Sequence, residues 1–284
     1  MRAVRRCVTA GLMPQPPPSS RWHEERIVVD PDDDGGCAAS NVAHGRSVIV
    51  IPDFCAASER ATLLSSAFSE AAASGESLVS SDRGPSAAQS NAGRLRLHIP
   101  ERLEANCQSL SDVLIRRALA FVQEELPLAG EQMLDCRAAD LHELLDAAPG
   151  LEYSPGEPAV NVYTASGEFK PHEDKMGLTI LITLSDSDEF TGGGTAFWRP
   201  ADFNDARRGR AEPALVLKPP AGSALLFGGE VTHAGRRVES GTRCMFVASF
   251  SRKKAHAQDP SSTAAHTAPP DHETDLGAFL DALS

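Results

Sequence analysis

The chain has 284 residues, 41% hydrophobic and 23% charged, which is enough to bury one sizeable core. Its formal net charge of −12 opposes a phosphate backbone and argues against a dedicated nucleic-acid binder. No stretch approaches the ~20 apolar residues that a membrane span needs.

The N-terminal 23 residues carry Arg2, Arg5, Arg6 and Arg21 with no acidic residue, a composition like that of an organellar transit segment. Pro14-Gln-Pro-Pro-Pro18 and Asp30-Pro-Asp-Asp-Asp-Gly-Gly36 cannot bury apolar surface, so residues 1–45 are expected to be a disordered or targeting segment. A single domain is expected over 46–252. Beyond it, 253–272 reads as an Ala/His/Ser/Pro-rich linker. Leu276, Phe279, Leu280 and Leu283 then predict a short amphipathic helix over 273–283. The six cysteines lie far apart with no CxxC pair, which argues against a disulfide scaffold or structural zinc and points to a reducing, intracellular compartment, cytoplasmic or organellar.

Within the domain, the β-branched run Ser47–Pro52 predicts a strand. A helix follows, capped by Ser58, with Leu63, Leu64, Ala67 and Phe68 on its apolar face. Residues 75–93 are rich in Gly, Ser and Asn and read as a loop. Arg94–Ile99 alternates arginine and leucine, as a half-exposed strand does. Further helices are expected over 109–126, stopped by Pro127, and over 131–147. From 158 to 251 the pattern changes to short apolar runs at 159–164, 178–184, 195–198, 214–218, 223–227 and 243–250, separated by Gly/Pro/Asp turns. Closely spaced strands with no helices between them indicate a sandwich or barrel.

The chemistry concentrates in this second half. His172 and Asp174 stand two residues apart, so a strand would turn an imidazole and a carboxylate to one side. Further on, Gly222-Ser-Ala-Leu-Leu-Phe227 runs into Val231-Thr-His233-Ala-Gly235, a histidine flanked by small residues. A third ligand at His233 would complete a two-histidine, one-carboxylate set that leaves positions on Fe(II) open to substrate and oxygen. Arg243, ten residues later, opens the apolar strand Arg243–Phe250. Its inward burial is costly unless a bound carboxylate pairs with it.

His172-x-Asp174, His233 and Arg243, with Asn161-Val-Tyr163 upstream and Phe190-Thr-Gly-Gly-Gly-Thr195 between, resemble the Fe(II)/2-oxoglutarate-dependent dioxygenases, in their prolyl-4-hydroxylase-like branch. The resemblance covers 46–252 and is densest over 158–251. It implies a mainly β fold with flanking α, a double-stranded β-helix (jelly roll) with the N-terminal helices packed on one sheet. It implies Fe(II) on His172, Asp174 and His233, and 2-oxoglutarate paired with Arg243, with Tyr163 and Thr195 lining the same pocket. Ascorbate is the implied helper. The implied reaction hydroxylates a C–H bond, on a prolyl-type peptide or on a small molecule, with succinate and CO2 as coproducts. Collagen-type prolyl hydroxylases carry lysine where this chain has Arg243, so the proline substrate does not follow from the motif. Two other functions fit the same residues: a non-catalytic scaffold on this fold, and a nucleic-acid demethylating oxygenase, which the net charge opposes.

Overall fold

The β-rich half folds as two antiparallel sheets facing each other across the candidate ligands. The computed structural model describes residues 21–29, 36–73, 93–146 and 150–253. The N-terminal part supplies β1 (His23–Arg26), α1 (Ala38–Ala43), β2 (Ser47–Ile51), α2 (Ala57–Ala73), β3 (Arg94–His98), α3 (Ile99–Arg102), α4 (Ala105–Glu125) and α5 (Pro127–Leu134). A 3-10 turn over Ala138–Glu143 follows. Then come β4 (Leu151–Tyr153), β5 (Ala159–Tyr163), β6 (Phe169–His172), β7 (Leu178–Thr183), β8 (Phe190–Gly192), β9 (Thr195–Phe197), α6 (Phe203–Arg207), β10 (Leu215–Leu217), β11 (Ala224–Gly228), β12 (His233–Gly235), β13 (Val238–Gly241) and β14 (Arg243–Arg252).

The larger sheet runs β1-β2-β11-β7-β14-β5-β3, with β4 also on β14; the smaller runs β10-β9-β12-β6, and β13 pairs β8. From β5 onward the chain goes back and forth between the two sheets, which is the jelly-roll winding. The fold is therefore the double-stranded β-helix that the sequence resemblance implies.

Strand alternation sorts the core into two layers. Leu95, Leu97, Val160, Val162, Phe246, Ala248 and Phe250 face the helices, against Leu114, Ile115, Leu119 and Val122 of α4. The intervening residues Tyr163, Met245 and Val247 face the smaller sheet, with Leu181, Phe197 and Phe227. Each such Leu, Val or Phe removed from water contributes about 1.5–3 kcal/mol, so the helical layer is what makes the larger sheet rigid enough to carry a site.

Several expectations are corrected. Residues 1–45 are not uniformly unstructured: β1 pairs antiparallel with β2, and Ile27 and Val42 are buried. Trp22 donates its indole N–H to Glu125 Oε2 at 3.0 Å, which ties this segment to α4. Ser58 does not cap α2, because the helix starts at Ala57; Glu59 accepts the Ala56 N–H instead, at 2.8 Å. Pro127 stops α4 but also opens α5, where its missing N–H costs nothing. The helix expected over 131–147 is broken at Asp135, whose φ of 50° ends α5 and leaves only the 3-10 turn beyond. The strand at Arg94 is not half-exposed, since Arg94 and Leu95 are both buried. The loop 75–92, the linker 254–272 and the helix over 273–283 lie outside the described residues. Among the described residues no helix is long and apolar enough to cross a membrane.

Candidate metal centre

His172 ends β6 and His233 opens β12, and the two are direct partners across the antiparallel pair. Their rings lie 4.3 Å apart, centroid to centroid. Asp174 falls just past the end of β6, so a loop rather than strand alternation turns its carboxylate to the same point. Its Oδ1 is 3.4 Å from His172 Nε2, and its Oδ2 is 3.6 Å from His233 Nε2. One ligand atom from each of the three residues lies within 4.8 Å of the others. Atoms held ~2.1 Å from one ion, at right angles to each other, stand ~3 Å apart, so the set fits a single ion.

The tautomers are fixed by the surroundings. His172 Nδ1 lies 2.9 Å from the Lys170 carbonyl and His233 Nδ1 lies 3.0 Å from the Val231 carbonyl. A carbonyl only accepts, so each Nδ1 carries the proton and each Nε2 lone pair is directed at Asp174. Burial pushes His233 down to about 4, against the pull of Asp174, which keeps the imidazole neutral near pH 7. Burial would raise the Asp174 carboxyl, but His233, His172 and the Thr179 hydroxyl outweigh it and hold the group below the usual carboxylate range. Thr179 Oγ1 donates to Asp174 Oδ2 at 2.7 Å. A carboxylate oxygen and two imidazole Nε2 atoms are the donor set that a divalent iron accepts.

The cavity beside this cluster holds about 240 Å³. Arg243 and Tyr163 are register partners across β14 and β5, and both are buried. The Arg243 guanidinium carbon sits 5.6 Å from the centre of the Tyr163 ring, and its Nη2 donates to Thr195 Oγ1 at 3.0 Å. Among the described residues no carboxylate lies within ion-pair distance of it. Gly193 makes its approach possible: with φ of 64°, a Cβ there would meet Phe190 at 2.9 Å and Arg243 Cδ at 3.2 Å. Cys244 points to the opposite face, its thiol pushed up to about 12 by burial, and takes no part in the cavity.

All six residues singled out in the sequence line this one cavity. Sequence reasoning missed Arg94, Arg96, Glu157 and Phe169, which line it too. Arg94 and Arg96 alternate with leucines, a pattern that also describes a solvated strand; the alternation carries no sign of whether the polar face meets water or a cavity.

Residues 158–251 match the family model of the 2OG-Fe(II) oxygenase superfamily. That match spans the β-rich part of the chain, including His172, Asp174 and His233. No curated protein matches the chain significantly. Among solved structures, the chain is similar to the viral collagen prolyl hydroxylase of Paramecium Bursaria Chlorella virus-1, at 15% identity and a TM-score of 0.44, over 75% of this chain and 99% of that one. A Pseudomonas putida prolyl-4-hydroxylase aligns at 18% identity and a TM-score of 0.41, over 76% and 100%. HygX from Streptomyces hygroscopicus aligns at 15% and 0.43, over 72% and 82%.

Proposed function

We propose that the chain is an Fe(II)- and 2-oxoglutarate-dependent hydroxylase of the prolyl-4-hydroxylase-like branch, with its catalytic domain over 46–252 and a prolyl-type peptidyl substrate. The observation that carries this reading is the pairing of two elements in one cavity. One is a three-ligand cluster with both Nε2 atoms freed for metal; the other is a buried guanidinium that meets no carboxylate among the described residues.

His172, Asp174 and His233 would hold the iron. Arg243 would take the distal carboxylate of 2-oxoglutarate, since a buried cation is costly until an anion pairs with it. Thr195 holds one Nη of that guanidinium in place, and Tyr163 packs against its face. Fe(II) bound there would supply a centre for O2 reduction, with O2 as the oxidant: two electrons would come from 2-oxoglutarate as it becomes succinate and CO2, two from the substrate C–H bond, and each product would gain one oxygen atom. The chain's share is positional. Backbone carbonyls of Lys170 and Val231 orient the imidazoles, Thr179 orients the carboxylate, and Leu181, Met245 and Val247 keep that wall of the cavity apolar. Ascorbate would serve as the reductant that restores iron after uncoupled turnover.

The test is iron content and substrate-independent turnover of 2-oxoglutarate to succinate. Wild-type protein should retain about one iron per chain and turn over 2-oxoglutarate. Asp174→Ala should fold but lose both, because the only anionic ligand is gone. An Asp174→Ala protein with full iron and full turnover would refute the ligand set. Mass spectrometry of lysate peptides for one added oxygen would then identify the substrate.

A further inference from the structure

In the proposed function metal and cosubstrate engage β5, β6, β9, β12 and β14; the wall formed by β3 and the turn before β5 has no part in holding either. β3 commits Leu95 and Leu97 to the helical layer and directs Arg94 and Arg96 into the cavity. Two guanidiniums on the inner face of a sheet are expensive to desolvate, and both line the cavity beside the metal cluster instead of lying on the outer surface.

Their placement relates both to the metal centre. Arg94 is in register with Tyr163 on the side opposite Arg243, so two arginines flank one tyrosine. The Arg94 guanidinium carbon stacks 3.8 Å from the centre of the Phe169 ring, and that ring lies 4.1 Å from His172. Arg94 Nη2 also donates to Asn161 Oδ1 at 3.3 Å. Arg96 is held by Glu157: its Nη2 donates to Oε1, while Oε2 accepts the Ser249 N–H at 2.5 Å. Ser249 Oγ in turn lies 3.2 Å from Thr179 Oγ1, the group that holds Asp174. Arg96 is thus fixed on the same frame as the metal carboxylate. Its Nε is buried and has no hydrogen-bond partner among the described residues.

We propose that Arg94 and Arg96 form a second anion subsite, which receives a carboxylate of the substrate beside the metal. The proposal rests on the oxygenase reading above and adds the substrate class: an acid. The guanidinium of arginine matches a carboxylate, and the N–H groups that Asn161 and Glu157 leave over on two adjacent arginines would discriminate an acid from its amide. The cavity lies below the ~300–1,000 Å³ of ordinary small-molecule pockets, so only the acid-bearing end of the substrate enters it. That carboxylate comes either from a small free acid or from an acidic side chain of a peptide.

Calorimetry on the full chain loaded with Mn(II) and 2-oxoglutarate separates these cases. Three ligands are titrated: N-acetyl-L-proline, its neutral amide, and the amide of N-acetyl-prolyl-aspartate. At least one acid should bind about tenfold more tightly than the neutral amide, and the acid that does so identifies the source. Arg94→Gln, and separately the double variant R96Q/E157Q, should erase that preference while 2-oxoglutarate affinity stays within about threefold. The double variant removes both charges of the pair together and so leaves no buried orphan; it carries the test if Arg94→Gln fails to fold. Arg243→Gln should do the reverse, losing 2-oxoglutarate. Equal affinity of wild-type protein for acids and amide, including no binding of any, overturns the subsite. So does a loss of 2-oxoglutarate in the β3 variants as large as in Arg243→Gln, which would assign these arginines to the cosubstrate. A wild-type protein that takes up neither Mn(II) nor 2-oxoglutarate defeats the oxygenase reading instead, before any acid is added.

Discussion

Arg243 and Glu157 are two buried charges of opposite sign, and they make different demands. Arg243 is 3% exposed and faces a cavity, so under the proposed function a dianionic cosubstrate would compensate its charge. Arg243→Ala should cost about 3–5 kcal/mol of 2-oxoglutarate binding, a rise of two or more decades in its dissociation constant. Arg243→Lys keeps the charge and loses the fork, so its penalty should be smaller. Iron content should hold in both, because Arg243 is not a ligand; unchanged 2-oxoglutarate affinity in folded Arg243→Ala would end the anchor reading. Glu157 is pushed by burial to about 7, with Arg96 and the Ser249 N–H pulling the other way. A carboxyl whose pKa is raised on folding binds its proton more tightly in the native state. The native state therefore loses stability as pH rises from about 4.5 to about 7. Urea midpoints of metal-free wild type and Glu157→Gln over that range should show the variant gaining on the wild type as pH rises. A pH-independent difference would mean that Glu157 stays ionised throughout.

At the scale of the element, β1 and α1 close the β2 edge of the larger sheet, although nothing in the Pro- and Asp-rich composition around them signals a strand. His23–Arg26 has no apolar run of its own, and its order comes from pairing with β2 and from Trp22, whose ring packs edge-on to Phe121 at 6.2 Å. That is a tertiary effect, and no local pattern announces it. Deleting 1–45 should lower stability by about 3–6 kcal/mol through loss of Ile27 and Val42 burial, readable as a drop in urea midpoint. An unchanged midpoint would show that the segment only rests on the sheet. The candidate metal cluster and Arg243 stood out in the sequence for the opposite reason: His172 and Asp174 are two residues apart, and His233 and Arg243 each open a strand whose small or apolar residues leave few places for a polar group. The β3 arginines did not, because alternation reports the period of a face and not what the face meets.

At the scale of the whole molecule, the jelly roll was legible as a run of short strands without helices, and the family resemblance supplied the winding. That winding has a thermodynamic consequence. The candidate ligand residues come from both strands of the β6–β12 pair at one end, and the proposed cosubstrate anchor comes from the opposing sheet, so a metal and a cosubstrate bound together would link the two sheets. A ligand that binds only the native state at ~100 times its dissociation constant stabilises by about 2.7 kcal/mol. For a domain of ~200 residues, each kcal/mol moves the melting temperature by about 2–4 °C. Mn(II) alone should raise the melting temperature of the metal-free protein, and 2-oxoglutarate should raise it by about 5–10 °C more, but only with metal present. Asp174→Ala should respond to neither addition, while Arg243→Ala should respond to Mn(II) and not to 2-oxoglutarate. The order of the two responses decides between a shared site and two separate ones: a 2-oxoglutarate shift of the same size without metal would show that the acid binds Arg243 independently of the His172–Asp174–His233 cluster.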